Sequence, residues 1–138
     1  MNQHILQRYM DTLKAIAESM EQTTTARIAA GLVYKNRLIS IGVNEMKSHP
    51  FQAKYGKNKD SIFLHAEIST IKNALRKIDV DAFKNATLLI ARLKRPSAQA
   101  KTWIYGLAKP CSGCTRAIAD FNIGNVIYTD ENGEFVKL

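Results

Sequence analysis

RIAAGLVYKNRLISIGVN, residues 27–44, decides how this chain can fold. Its two halves, RIAAGLVY (27–34) and RLISIGVN (37–44), are rich in aliphatic residues and read as strands. Only Lys35-Asn36 lies between them, a length that fits a tight hairpin turn. A hairpin is antiparallel, so the sheet it opens is mixed rather than purely parallel.

Upstream, QHILQRYMDTLKAIAESM (3–20) places Ile5, Leu6, Tyr9, Met10, Leu13, Ile16, Ala17 and Met20 on one helical face. A run of threonines ends that pattern. Downstream, EMKSHPFQAKYGKNKDS (45–61) is polar and basic with Pro and Gly, and reads as a long loop of the kind that is functional or disordered. FLHAEISTIKNALRKI (63–78) reads as a helix buried through Ile68, Ile71, Ala74, Leu75 and Ile78. ATLLIARL (86–93) is a buried strand, followed by the basic loop KRPSAQAKTW and a short strand in IYGLA. CSGCTRAIADF (111–121) is helical, NVIYT (125–129) a strand, and EFVKL returns as a last strand after the turn DENG. The order α β β α β α β (β) predicts an α/β fold: a three-layer α/β/α sandwich around one mixed sheet of about five strands, with residues 1–138 as a single domain.

Hydrophobic residues make up 46% and charged residues 23%, the balance of an ordinary globular protein. No apolar run reaches membrane-spanning length, so no membrane partner is expected. MNQHILQRYM lacks the pattern of a leader, which makes the cytoplasm the expected address. A net charge of +8 favours anionic partners such as nucleotides or nucleic acid, and equally suits a basic enzyme with no polymer ligand.

The two cysteines stand together in KPCSGC (109–114). In a reducing compartment such a pair binds metal or does redox chemistry more often than it forms a structural disulfide. A thioredoxin-like pair would follow an early strand, whereas this one comes late. A catalytic zinc needs three protein ligands and one open position. Of His4, His49 and His65, only His65 opens a helix and is followed by an acid, in HAE (65–67). Both half-motifs open helices, whose N-termini lower thiol pKa and favour thiolate ligands.

His65-Ala66-Glu67 followed by Pro110-Cys111-Ser112-Gly113-Cys114 resembles the H-x-E…P-C-x-x-C signature of zinc-dependent base deaminases, the cytidine deaminase-like superfamily. The element order along most of the chain is also that family's. The resemblance implies Zn2+ on His65, Cys111 and Cys114, with Glu67 as the proton shuttle. It implies hydrolysis of a cytosine nucleoside or nucleotide to the uracil product, with ammonia released. It points to Asn44 in IGVNE as a substrate contact, to Ala30 within Ala29-Ala30-Gly31 as pocket lining, and to Ala66, Pro110 and Lys109 as substrate-facing neighbours of the ligands. Asn44 read on its own is equally a strand-ending turn residue. Family members are often homo-oligomers, so dimers or tetramers are expected.

The interval from Glu67 to Cys111 is longer than the family's, and the excess falls in KRPSAQAKTWIYG (94–106). A His ligand matches the dCMP and tRNA deaminase branches, whereas a closing hairpin after Tyr128 matches cytidine deaminases and deaminase toxins. Loop cations such as Lys47, Lys54 or Lys109 would hold a substrate phosphate. Arg92, Lys94, Arg95, Lys101 and Lys109 form either a solvated basic face or phosphate contacts. Trp103 and Tyr105, set among those charges, either stack single-stranded nucleic acid or pin the loop to the core. A polynucleotide base deaminase and a non-catalytic zinc or nucleic-acid-binding module are therefore the alternatives.

Overall fold

The computed structural model describes residues 1–20, 27–45, 50–55, 65–97 and 99–138, with the backbone alone for Phe51. Helix α1 spans Gln3–Glu18 and is capped by Asn2, whose Oδ1 accepts the Ile5 N–H at 2.8 Å. Strands β1 (Arg27–Tyr34) and β2 (Arg37–Val43) form the expected hairpin. Lys35 and Asn36 both hold positive φ, 51° and 61°, which matches the twist of the flanking strands. Helix α2 (Pro50–Lys54) is followed by α3 (Ala66–Ala74) and a 3-10 turn, Val80–Asn85. Then come β3 (Thr87–Lys94), β4 (Ile104–Gly106), α4 (Ser112–Asp120), β5 (Asn125–Thr129) and β6 (Phe135–Lys137).

Six strands make one open sheet in the order β2-β1-β3-β5-β6, with β4 paired to the end of β3. The β3–β5 pair is parallel and every other pair is antiparallel, so the sheet is mixed as expected, with six strands rather than about five. The short strand expected in IYGLA is β4, which joins the sheet through β3 and brings the count to six. Two elements have no strong sequence signal. The five residues of α2 are too few to show a period, and the 3-10 turn has the wrong period for a helix. Helix α3 ends at Ala74 rather than Ile78, where the chain turns. The residues expected to start it at 63 and 64 lie outside the described residues, as do His49 and Lys47.

The alternation of strand side chains divides the core into two. Ile28, Ala30, Leu32, Leu88, Ile90, Val126 and Tyr128 meet α3 and α4 on one face. Ala29, Val33, Leu89, Ala91 and Leu93 meet α1 on the other. Buried Phe83 seals the first core with Phe121 packed at 5.9 Å, so the 3-10 turn closes the layer that holds α3 and α4. Gly42 lets β2 approach the first turn of α3, since a Cβ there would lie 2.6 Å from the Ala66 carbonyl oxygen and the Thr70 nitrogen. That contact places the start of α3 beside the ends of β1 and β2.

Candidate metal centre and cleft

Helices α3 and α4 both begin on a side chain that can ligate a metal. His65 is the N-cap residue of α3, with extended backbone at φ −81° and ψ 154°. Cys111 is the N-cap residue of α4, and its Sγ accepts the Cys114 N–H at 3.5 Å. His65 Nδ1 lies 3.3 Å from Cys114 Sγ and 3.8 Å from Cys111 Sγ. The three ligand atoms lie within 4.8 Å of one another. Tetrahedral zinc with ordinary Zn–N and Zn–S bonds would hold nitrogen and sulfur about 3.6 Å apart, which both measured separations bracket. The donor set, one imidazole and two unpaired thiols, is a zinc set. The residues therefore fit Zn2+, with room for a fourth ligand, and Glu67 is not one of the clustered groups.

The electrostatics follow from these contacts. Hydrogen bonds from Cys114 and then His65 hold the Cys111 thiol down to about 3. The same bond to Cys111, with burial, pushes the Cys114 thiol up. The contact with Cys111 raises His65, against the effect of burial. Without metal, one proton is thus retained between the two sulfurs and the imidazole carries another more readily. Glu67 is 6% exposed, and burial raises its carboxyl above the usual range.

The short helix α2 connects both ligand helices. Gln52 is 1% exposed, and its Oε1 accepts the backbone N–H of His65, the N-cap residue, at 3.0 Å; the His65 side chain itself caps no helix N–H. Three residues on, the carbonyl of Tyr55 lies directly over Gly113, where any Cβ would overlap it. Tyr55 OH donates to Asp120 Oδ2 at 3.0 Å. Glycine inside CSGC is therefore required by the close approach of another backbone.

A cleft of about 340 Å³ opens over the ligands, within the range of small-ligand sites. It is lined by Asn44 and Glu45 from the end of β2, by His65, Ala66 and Glu67, and by Leu107, Ala108, Lys109 and Cys111. Ile28, Ile90 and Arg92 form its floor. Asn44, Ala66 and Lys109 thus reach the cleft as expected. Asn44 also ends the strand: its Oδ1 accepts the Ile28 N–H at 2.9 Å while its own N–H donates to the Ile28 carbonyl. Ala30 corrects the sequence reading. It is fully buried under α3, with its carbonyl accepting from the Thr70 hydroxyl at 3.1 Å, and Ile28 is the β1 side chain at the cleft. The two residues share a face, but α3 covers the second. Pro110 is buried between Lys109 and Cys111 and is not among the lining residues.

The aromatic residues of the insertion lie away from the cleft, while Arg92 and Lys109, which flank it in sequence, line the cleft. Trp103 packs on the α1 side, with the Arg27 guanidinium 4.3 Å and the Arg95 guanidinium 5.4 Å from its ring centroid. Tyr105 packs there too, edge-on to Phe135 at 6.1 Å. Both rings pin the hairpin against the core, on the sheet face opposite the ligands. Thr129, fully buried, fixes the near end of the hairpin. Its hydroxyl donates to the Gly106 carbonyl at 2.8 Å and accepts the Arg92 N–H at 3.2 Å, while its carbonyl accepts the Ala108 N–H at 2.9 Å. Arg92 had a legible signal, as the only charge in the interior of an apolar strand and two residues from core Ile90. Gln52 and Thr129 had none, because their partners are distant in sequence.

A sequence profile of the cytidine and deoxycytidylate deaminase zinc-binding region matches residues 3–130. Among solved structures, the chain is similar to the dCMP deaminase of the cyanophage S-TIM5. Its apo form superposes with a TM-score of 0.61 at 18% identity, covering 95% of this chain and 86% of that one. Its complex with dCMP and dUMP superposes with a TM-score of 0.61 at 17% identity, covering 95% and 85%. No match was found among curated protein sequences.

Proposed function

Because the chain belongs to the cytidine and deoxycytidylate deaminase zinc-binding family, we propose that this cleft is the active site of a zinc-dependent hydrolytic deaminase. Its substrate is a cytosine nucleoside or nucleotide, converted to the uracil product with release of ammonia. The observation that carries this reading is the convergence of His65, Cys111 and Cys114 at the base of a cleft that also contains buried Glu67. A structural zinc site is closed by four protein ligands, whereas this cluster offers three among the described residues.

Zinc held by these residues supplies the Lewis acidity that makes water a nucleophile near neutral pH. The protein residues do the rest. Glu67 takes the proton of the attacking water and delivers it to the ring nitrogen as the carbon bearing the amine becomes tetrahedral. It then takes the remaining proton from the added hydroxyl and passes it to the amine, which leaves as ammonia as the C–N bond breaks and the carbonyl forms. Burial raises its pKa, so carboxylate and acid are closer in energy and the shuttle runs in both directions. Ile28, Ala66, Ile90 and Ala108 give the base an apolar seat. Asn44 lines the same cleft, where it would meet the sugar. A reducing compartment keeps both thiols available, which supports a cytoplasmic address. The polynucleotide alternative loses part of its motive, since Trp103 and Tyr105 pack on the face away from the cleft, and retains the net charge of +8.

The test is product analysis by mass spectrometry with the zinc-loaded protein on cytosine nucleosides, mono- and triphosphates, and single-stranded oligonucleotides. Uracil product from a free nucleoside or nucleotide is expected. Glu67→Gln should retain zinc and fold while turnover falls about 10²- to 10⁴-fold. Near-normal ammonia release from that variant would remove Glu67 from the mechanism.

A further inference from the structure

Not every cation near the insertion is available to a ligand. Lys94 pairs with Glu131 at 3.8 Å, Arg95 lies over Trp103, and Lys54 lies over Tyr55 at 5.5 Å. Arg92 and Lys109 are the two that line the cleft among the described residues. Arg92 is the less satisfied. Among the described residues, its buried Nε has no hydrogen-bond partner and its side chain makes one hydrogen bond, from Nη1 to the Leu107 carbonyl at 3.4 Å. Among the described residues, no carboxylate forms an ion pair with it. A guanidinium with a buried, unpaired N–H is unfavourable unless something else supplies an acceptor.

The fold holds this cation in place. Arg92 sits opposite Ile28 on β1 and Gly106 on β4, on the ligand face of the sheet. Gly106 presents no side chain to it; a Cβ there would stand 3.5 Å from Arg92 Cγ and Cδ. The Arg92–Leu107 contact ties it to the segment that carries Lys109 into the cleft. The two carboxylates of the cleft belong elsewhere: Glu67 follows His65 on α3, and Glu45 follows Asn44 at the end of β2.

Resting on the deaminase reading, we propose that Arg92 and Lys109 form an anion subsite that selects the terminal phosphate of a nucleoside monophosphate. A phosphomonoester carries close to two negative charges at neutral pH, which two unpaired cations neutralise, and Arg presents paired N–H groups to phosphate oxygens. A phosphodiester in a polymer carries one charge. The insertion therefore sets substrate choice through the strand it extends, while its aromatic tip stays on the far face.

Two measurements test this. The first is kcat/KM for cytosine monophosphates against the matching nucleosides, in wild type, Arg92→Gln, Arg92→Lys, Lys109→Gln and Lys94→Gln. Wild type should prefer the monophosphate, and Arg92→Gln should collapse that preference about tenfold or more, the loss of roughly one charge-assisted contact. Arg92→Lys should restore part of it, Lys109→Gln should lower it less, and Lys94→Gln should leave it unchanged. The second is equilibrium binding of uridine monophosphate against uridine, read by calorimetry, which needs no turnover. Equal losses for nucleoside and nucleotide, or equal affinity of wild type for both uridine ligands, would overturn the subsite. A wild-type preference for single-stranded oligonucleotide over monophosphate would overturn it as well. Failure of every cytosine substrate to react, with uridine monophosphate still bound through Arg92, would instead overturn the deaminase reading alone.

Discussion

Helices α3 and α4 each begin on a residue that can ligate a metal, yet they are anchored in different ways. Helix α4 caps itself: the Cys111 sulfur that faces the metal position also accepts the Cys114 N–H. Helix α3 does not, and the N–H of its N-cap residue, His65, is met by Gln52 from a separate helix. One ligand pair is therefore positioned by four consecutive residues, and the third ligand by tertiary structure. Helix α2 joins the two cases, because its Gln52 reaches α3 while Tyr55 just beyond it packs on Gly113 and Asp120 of α4.

The comparison breaks hardest at Cys111, which is ligand and cap together. Cys111→Ala should abolish stoichiometric zinc, read by mass spectrometry of metal content, and lower the melting temperature because metal binding is coupled to folding. Cys111→Ser separates the roles. A hydroxyl restores the cap, worth about 1 kcal/mol to the metal-free protein relative to Ala, without restoring zinc. Full zinc occupancy in either variant would refute the ligand role.

Next in size is Gly113→Ala. The new Cβ meets the Tyr55 carbonyl, so α2 has to shift, at a cost of about 1 to 3 kcal/mol by chemical denaturation. Zinc affinity should fall with it, as Gln52 is displaced from His65. An unchanged denaturation midpoint would show that α2 is not held there.

Gln52→Ala isolates the tertiary anchor. Removing a partner that orients a metal ligand costs about 10- to 100-fold in metal affinity. A competing chelator should reveal that loss, and Gln52→Glu should recover part of it because a carboxylate oxygen still accepts the His65 N–H. If Gln52→Ala binds zinc as tightly as wild type, α3 needs no outside cap.

The last effect is graded with pH. His65 is raised chiefly by its hydrogen bond with Cys111, and Cys114 chiefly by its own bond to Cys111. Zinc requires a neutral imidazole and a thiolate, so both shifts make protons compete with metal more strongly as pH falls. Affinity should therefore drop on acidification, by about tenfold per pH unit for each proton displaced. Calorimetry in buffers of differing ionisation enthalpy should show proton release on zinc uptake, and none would contradict the shared proton.

The same contrast explains what the sequence made legible. The hairpin, the outer helices and the strand pattern are encoded in neighbours, and so is CSGC; all of these emerged with near-correct bounds. HAE was found by its chemistry, not by its anchor. Helix α2 is five residues long within a polar stretch, and its effect on His65 depends on contact across thirteen positions. Ala30 came from the family resemblance, which points to a strand but not to what covers each of its residues; here α3 covers it. Arg92 was visible as an oddity in an apolar strand, but only the sheet register separates it from Lys94, whose charge is already matched.

Thr129 carries one more consequence. By tying the Gly106 carbonyl, the Arg92 amide and the Ala108 amide at one buried point, it insulates the cysteines from whatever lies farther out between β3 and β4. The hairpin is in effect a graftable module with a fixed base. Doubling the length of its tip adds only about 0.6 kcal/mol of closure entropy. A lineage or an engineer can thus change the outer surface of this protein without re-aiming its thiols.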